Sequence, residues 1–260
     1  MGIFVFDVKR AMRIEQAIFT SIQSSRLDGY QLAATSKGID PELAKELTIW
    51  GPAHDSLWDT RCDARSVNFH PLSDGTYCLS CTTVAGAEYS GRSGGRVYTQ
   101  MFVLTRDALA QFANDPFLVL RALSAAGRLI VLEQVPTALS SVPLLGRTAQ
   151  VDSALARDIV EEVGDKIFQD LSHSVAGSGR VAVLTSGHVE RLFQAVLQTL
   201  ALEERLSLSF TTGLKDSPRR PFKFFVLPND ATIVRQSQRQ TAAKIIDLIG
   251  ETHAEVATSR

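Results

Sequence analysis

Between residues 13 and 104 the chain repeats one short pattern, and that pattern leaves few ways to fold. Runs of β-branched and aromatic residues at 13–23 (RIEQAIFTSIQ), 30–35, 66–71, 76–84 and 96–104 are separated by breaks of Gly, Pro, Asp and Ser. Each run reads as a strand and each break as a turn, with Asp28-Gly29 and Ser73-Asp74-Gly75 the clearest turn signals. One helix interrupts them. Asp40-Pro41-Glu42 places a capping carboxylate, a proline at the first helical position and an acid in the first turn. Gly51-Pro52 stops that helix after Trp50. Thr105-Arg106-Asp107 then opens a helical stretch to about Ala126, divided at Asp115-Pro116.

The second half has a different grammar. Residues 134–150 hold Pro136, Pro143 and Gly146 and read as a connection. Asp152 caps a helix to about Leu171, with Leu155, Ile159, Val163 and Ile167 on one stripe. Then come strand 180–185, helix 189–200, strands 206–211 and 222–227, helix 231–240 and strand 243–248. The expected class is α+β: an N-terminal antiparallel sheet with helices, followed by a C-terminal β-α-β-β-α-β, ferredoxin-like α/β lobe. The expected division is 1–133, a connection at 134–150, and 151–260, with the two lobes free to pack as one unit. Residues 250–260 read as a frayed tail.

Composition narrows the class of function. In 260 residues, 27 Lys+Arg stand against 28 Asp+Glu, and 45% of residues are hydrophobic, which excludes a disordered, collagenous or coiled-coil chain. The near-zero net charge provides no global attraction to nucleic acid or to an anionic membrane. No stretch approaches the ~18 apolar residues of a membrane span. The first apolar run stops at Asp7, short of a secretory signal. Three cysteines, Cys62, Cys78 and Cys81, make no disulfide framework, so a reducing cytoplasm is expected. Residues 205–244 carry eight cations against Asp216 and Asp230, a net +6 that leaves −7 elsewhere. Such asymmetry means either internal docking or a surface facing an anion.

No constellation of residues names a reaction. Gly91-Arg92-Ser93-Gly94-Gly95 has the letters of a nucleophile elbow, but the elbow needs a helix after the serine, and 96–104 reads as a strand. The same loop reads as an anion cradle, with converging backbone N–H groups and forked donors from Arg92 and Arg96. Cys78-Leu79-Ser80-Cys81 falls in a strand, where i and i+3 face opposite ways, so the two thiols read as small buried side chains rather than zinc ligands with Cys62 and His70. Asp158, Glu161, Glu162 and Asp165 read as a solvated helix face. Lys215-Asp216-Ser217-Pro218-Arg219-Arg220 is a basic loop set before Phe222 and Phe224. Stacking of RNA bases on those rings is one reading; the simpler one makes Phe222, Phe224 and Val226 a single buried face.

With these segments laid out, the chain resembles the bacterial GTPase-associated protein 1 group, N-terminal domain of the first type. The resemblance rests on Asp28-Gly29-Tyr30-Gln31-Leu32-Ala33, Asn68-Phe69-His70-Pro71-Leu72, Ser209-Phe210-Thr211-Thr212-Gly213-Leu214 and, above all, Ala87-Glu88-Tyr89-Ser90-Gly91-Arg92-Ser93-Gly94-Gly95-Arg96-Val97-Tyr98-Thr99. It implies a component encoded beside a GTPase in bacterial signalling or conflict systems, with no known reaction, catalytic residues or cofactor. Larger members continue into further domains, so a chain ending at Arg260 looks like a stand-alone version or a truncated one.

The leading expectation is therefore a non-enzymatic adaptor for a GTPase or related NTPase. Its contact residues would be Glu88, Tyr89, Arg92, Gly94, Gly95 and Arg96 on the glycine loop and Lys215, Arg219 and Arg220 on the basic loop. The alternatives are a sensor or enzyme that binds a phosphate-containing ligand at the glycine loop, and an RNA-binding module on the basic lobe. No metal, cofactor or membrane contact is expected.

Overall fold

The computed structural model describes residues 12–23, 28–61, 63–87, 95–145, 153–185 and 187–249. Its antiparallel half forms as the alternating runs require. β1 (Met12–Gln23), β2 (Asp28–Thr35), β3 (Arg65–Pro71), β4 (Tyr77–Ala87) and β5 (Gly95–Leu104) pair in the order β3-β4-β5-β1-β2. Asp28-Gly29 opens β2, paired as Gln23↔Asp28 and Ile22↔Gly29, instead of forming the turn before it. α1 (Pro41–Trp50) starts where expected, its N-cap Asp40 accepting from Leu43 N at 2.9 Å. α2 (Arg106–Ala110) and α3 (Pro116–Ala125) are separated by the buried Asp115, which caps α3 through Phe117 N and Leu118 N.

The stretch read as a connection carries a short strand, β6 (Val142–Leu144), that pairs with β1. Two sequence boundaries shift beyond it. The single helix expected from Asp152 to Leu171 is two, α4 (Ser153–Val163) and α5 (Asp165–Ala176), broken at Gly164, whose φ of 85° no L side chain adopts comfortably. The capping position Asp152 lies outside the described residues. The run expected as strand 206–211 begins in a helix instead: α7 (Leu202–Ser207) takes in Leu206 and Ser207 and is pinned by Arg205, which donates to the carbonyls of Leu200, Ala113 and Gln198. Only Phe210–Thr211 remains as β8.

The C-terminal elements keep the expected β-α-β-β-α-β order: β7 (Val181–Leu184), α6 (Val189–Thr199), β8, β9 (Phe224–Leu227), α8 (Ala231–Thr241) and β10 (Lys244–Asp247). They lie as β10-β7-β9-β8, and every neighbouring pair runs parallel. Residues 212–223 therefore return from one end of β8 to the far end of β9 as a long strap. β8 also pairs antiparallel with β3, through Asn68↔Thr211 and Phe69↔Phe210, so one sheet runs through both halves.

Alternation sorts the core by face. On one face β3, β4, β7 and β9 present Val67, Phe69, Leu79, Cys81, Val181, Val183, Phe224 and Val226 to α3, α4, α5 and α6. On the other, α1 covers Phe19, Cys78 and Met101, while Leu57, Leu214, Phe222 and α8 cover Ala182, Leu184, Phe225 and Leu227. Between those two apolar patches runs a buried polar belt. Ser66 Oγ and Thr211 Oγ1 donate to Asn68 Oδ1 at 2.7 and 2.6 Å, and Asn68 Nδ2 donates to Ser80 Oγ at 3.1 Å. Cutting the centre of the belt strands its neighbours without partners. Asn68→Ala is expected to cost about 1–3 kcal/mol, and Phe210→Ala, which empties the opposite face at the same seam, about 3–5 kcal/mol. Urea denaturation midpoints check both; wild-type midpoints would show that the seam contributes little.

Candidate functional site

The strands that flank the glycine loop and the turn of the basic loop point to opposite ends of the sheet. β4 and β5 pair as far as Ala87↔Gly95, at the end of the sheet where β3 begins and where β8 ends. Glu88, Tyr89, Arg92, Ser93 and Gly94 lie outside the described residues. Gly95 is packed so closely that a Cβ there would collide with Val84 Cγ1. Arg96 is half-buried, and its Nε donates across the hairpin to Ala85 O at 2.9 Å. The residue after the loop begins a strand, so the helix that a nucleophile elbow needs is not there. Cys78 and Cys81 face opposite cores, and burial pushes their thiols up, Cys81 to about 11. Cys62 lies outside the described residues.

The basic loop belongs to the strap. From Gly213 it runs beside residues 56–58, with Lys215 N donating to Ser56 O at 2.7 Å and Trp58 N to Gly213 O at 3.0 Å. It then turns at Ser217–Arg220 near the start of β7, where Asp216 holds Arg180 and Arg180 Nε donates to Phe222 O. Lys215 Nζ meets Asp55 Oδ1 at 2.7 Å and lies over the Trp58 ring. Arg219 is exposed at the turn.

Arg220, expected as a contact residue beside Lys215 and Arg219, lies inward. It is only 7% exposed, its Nη1 reaches Gly51 O at 3.4 Å, and burial lowers its pKa. Phe222 and Phe224 are not one face, because Phe222 precedes β9 and packs on the α8 side while Phe224 packs on the α6 side. Both rings are buried, so neither is available for base stacking. Much of the basic segment thus docks internally: Arg205 and Arg220 are buried, Lys215 holds Asp55 and Lys244 holds Asp170.

Beneath the strap His70 stacks on Trp50, with ring centroids 3.7 Å apart and Phe222 edge-on. Both ring nitrogens are buried without a hydrogen-bond partner, and desolvation lowers the pKa to about 3.

Sequence reasoning missed a large concavity among the described residues. β7 and β9 are parallel neighbours, yet α6 leaves β7 for one face of the sheet and α8 leaves β9 for the other. Such a reversal opens a crevice at the carboxyl ends of the strands. A cleft of about 690 Å³ lies there, lined by Thr185, Gly187–Arg191, Thr212, Gly213 and Leu227–Pro228, together with Leu57, Trp58, Asp59, Arg61 and Asp63–Arg65. Arg65 donates Nε and Nη2 to the two carboxylate oxygens of Glu190, both at 2.7 Å, and Arg191 Nη2 meets Asp158 Oδ2 at 2.7 Å. Arg61 holds Asp59, which lowers the carboxyl's pKa. The only advance signal was the strand-turn-helix passage around Gly187, because a sequence does not say which face each helix takes. Among the described residues no three His, Cys, Asp or Glu side chains gather to hold a metal ion, and no helix is long and apolar enough to cross a membrane.

Residues 13–142 match the family model described as GTPase-associated protein 1, N-terminal domain type 2. The group read from the sequence is the one matched, but the type is corrected from the first to the second. The phrases quoted around Phe210 fall outside the matched residues. No curated protein matches the chain.

The buried imidazole generates a pH prediction. An unfolded chain takes up a proton at His70 as pH falls through about 6.5 while the folded one stays neutral until about 3. Its contribution to stability is full above pH 6.5 and is lost below, with a slope of up to about 1.4 kcal/mol per pH unit. Urea midpoints between pH 7.5 and 5 are expected to fall for the wild type and to flatten in His70→Phe. Parallel curves would mean that the imidazole is not desolvated.

Proposed function

The chain belongs to the GTPase-associated protein 1 family, N-terminal domain type 2, and from that premise we propose that it is a non-enzymatic interaction module of a GTPase-centred bacterial signalling or conflict system. The family match over the antiparallel half is the observation that carries the reading. The partner is a GTPase or a related NTPase component, met in the cytoplasm. Two features support a binding role over a catalytic one. Both thiols of the β4 pair are desolvated and inert, and the glycine loop closes a hairpin instead of a strand-to-helix elbow.

The recognition element in this reading is the β4–β5 hairpin tip with Glu88, Tyr89, Arg92, Gly94 and Gly95, mounted on the sheet through Arg96. Loops held on a rigid sheet keep their backbone groups available for a partner. Arg219, at the far end of the strap, is a second and separate contact, with Lys215 beside it and Arg220 supporting the turn from below.

Co-purification of the full chain with GTPases encoded beside it tests the proposal. Retention of a GTPase is expected, with Arg92→Glu weakening it about tenfold and slowing association more at low salt than at high. Arg219→Glu should act independently of Arg92→Glu because the two sites are at opposite ends of the sheet. Recovery of no NTPase, or retention unchanged by either reversal, would overturn the adaptor reading.

A further inference from the structure

The cleft at the carboxyl ends of β7, β8 and β9 shares its lining with two further concavities of different chemistry. Trp58 is shared with a neighbouring concavity beneath the strap, of about 410 Å³. Arg65, Glu190 and Arg191 are shared with another beside α3, which adds Arg121. Trp58 and the arginines thus border the cleft toward different neighbouring concavities. We propose that this cleft binds a nucleotide, with its base against Trp58 and its phosphate toward Arg65 and Arg191.

Three observations carry this. The first is position: the crevice lies at a strand-order reversal, where open parallel sheets bind their ligands. The second is the set of guanidinium groups. A guanidinium has five N–H donors, and a bidentate carboxylate uses two of them. Glu190 occupies one edge of Arg65 and Asp158 one nitrogen of Arg191, which fixes both forks and leaves further N–H groups directed elsewhere. Both side chains are 45% exposed, so those groups are reachable. The third is charge balance. Arg61, Arg65 and Arg191 line the cleft with Asp59, Asp63 and Glu190. A bare polyanion gains little from such a balanced wall. A ligand that brings sugar hydroxyls as donors along with its phosphate can use both signs. A volume of about 690 Å³ is in the range of ordinary small-molecule sites.

The test is calorimetric titration of the full chain with AMP, ADP, GMP and GDP, alongside adenosine, guanosine and inorganic pyrophosphate. Saturable binding of at least one nucleotide is expected, with its nucleoside and pyrophosphate each at least about tenfold weaker, a difference of about 1.4 kcal/mol. Arg191→Gln should weaken the nucleotide about tenfold and leave the nucleoside unchanged. The Asp158 it leaves behind is half exposed, so the variant is expected to fold. Trp58→Leu should weaken nucleotide and nucleoside alike; if the loss of its bond to Val226 O unfolds the chain, the Arg191 variant and the nucleoside comparison decide alone. Absence of nucleotide binding, pyrophosphate binding as tight as a nucleotide's, or affinity indifferent to Arg191→Gln would each overturn the proposal. None of these results depends on whether a GTPase co-purifies.

Discussion

Two residues join an antiparallel sheet to a parallel one. β8 is Phe210 and Thr211 alone, hydrogen-bonded to β3 in one sense and to β9 in the other. A strand that short has too few ladder bonds to hold a seam by itself. Its side chains supply the rest, one on each face. Phe210 stacks on Phe117, meets Phe193 edge-on and leans on Phe69, which ties β8 to α3, α6 and β3. Thr211 enters the belt centred on Asn68 and accepts from Leu214 N, which starts the strap on its course. The hydroxyls and the amide satisfy one another out of water, where an unmatched polar group is costly. The parallel strands, the strap and the crevice above them all take their position from this joint.

Most of the architecture was legible because it is written in local chemistry. Asp40-Pro41 and Asp115-Pro116 start helices by satisfying free N–H groups, and the antiparallel runs alternate strongly enough to fix which side chains go inward. What was not legible depended on distant partners. Nothing near Leu206 says that Arg205 will find three carbonyls and keep a helix going, or that Gly164 will take a positive φ and end one early. Strand direction in the second half was equally hidden, because a twelve-residue loop serves a hairpin or a crossover.

The candidate site shows the same division. A string of cations such as Lys215, Arg219 and Arg220 looks uniform in one dimension, yet the turn at Ser217–Arg220 sends one outward, one inward and leaves the third against Asp55. The phrase Pro-Phe-Lys-Phe-Phe suggested one ladder of rings; the entry into β9 at Phe224 splits them between two cores. The crevice left no more trace than the strand-turn-helix passage around Gly187. It exists because α6 and α8 diverge, and divergence belongs to topology and not to any residue.

The family match ends at residue 142, whereas the partner that closes β3 arrives only at residue 210. Severed between those points, the first half would carry β3 as a bare margin with Val67 and Phe69 at its rim and no helix α6 above them. Such a margin is adhesive toward any other unpaired strand, including its own twin. The second half thus supplies the strand that keeps this margin from being an edge.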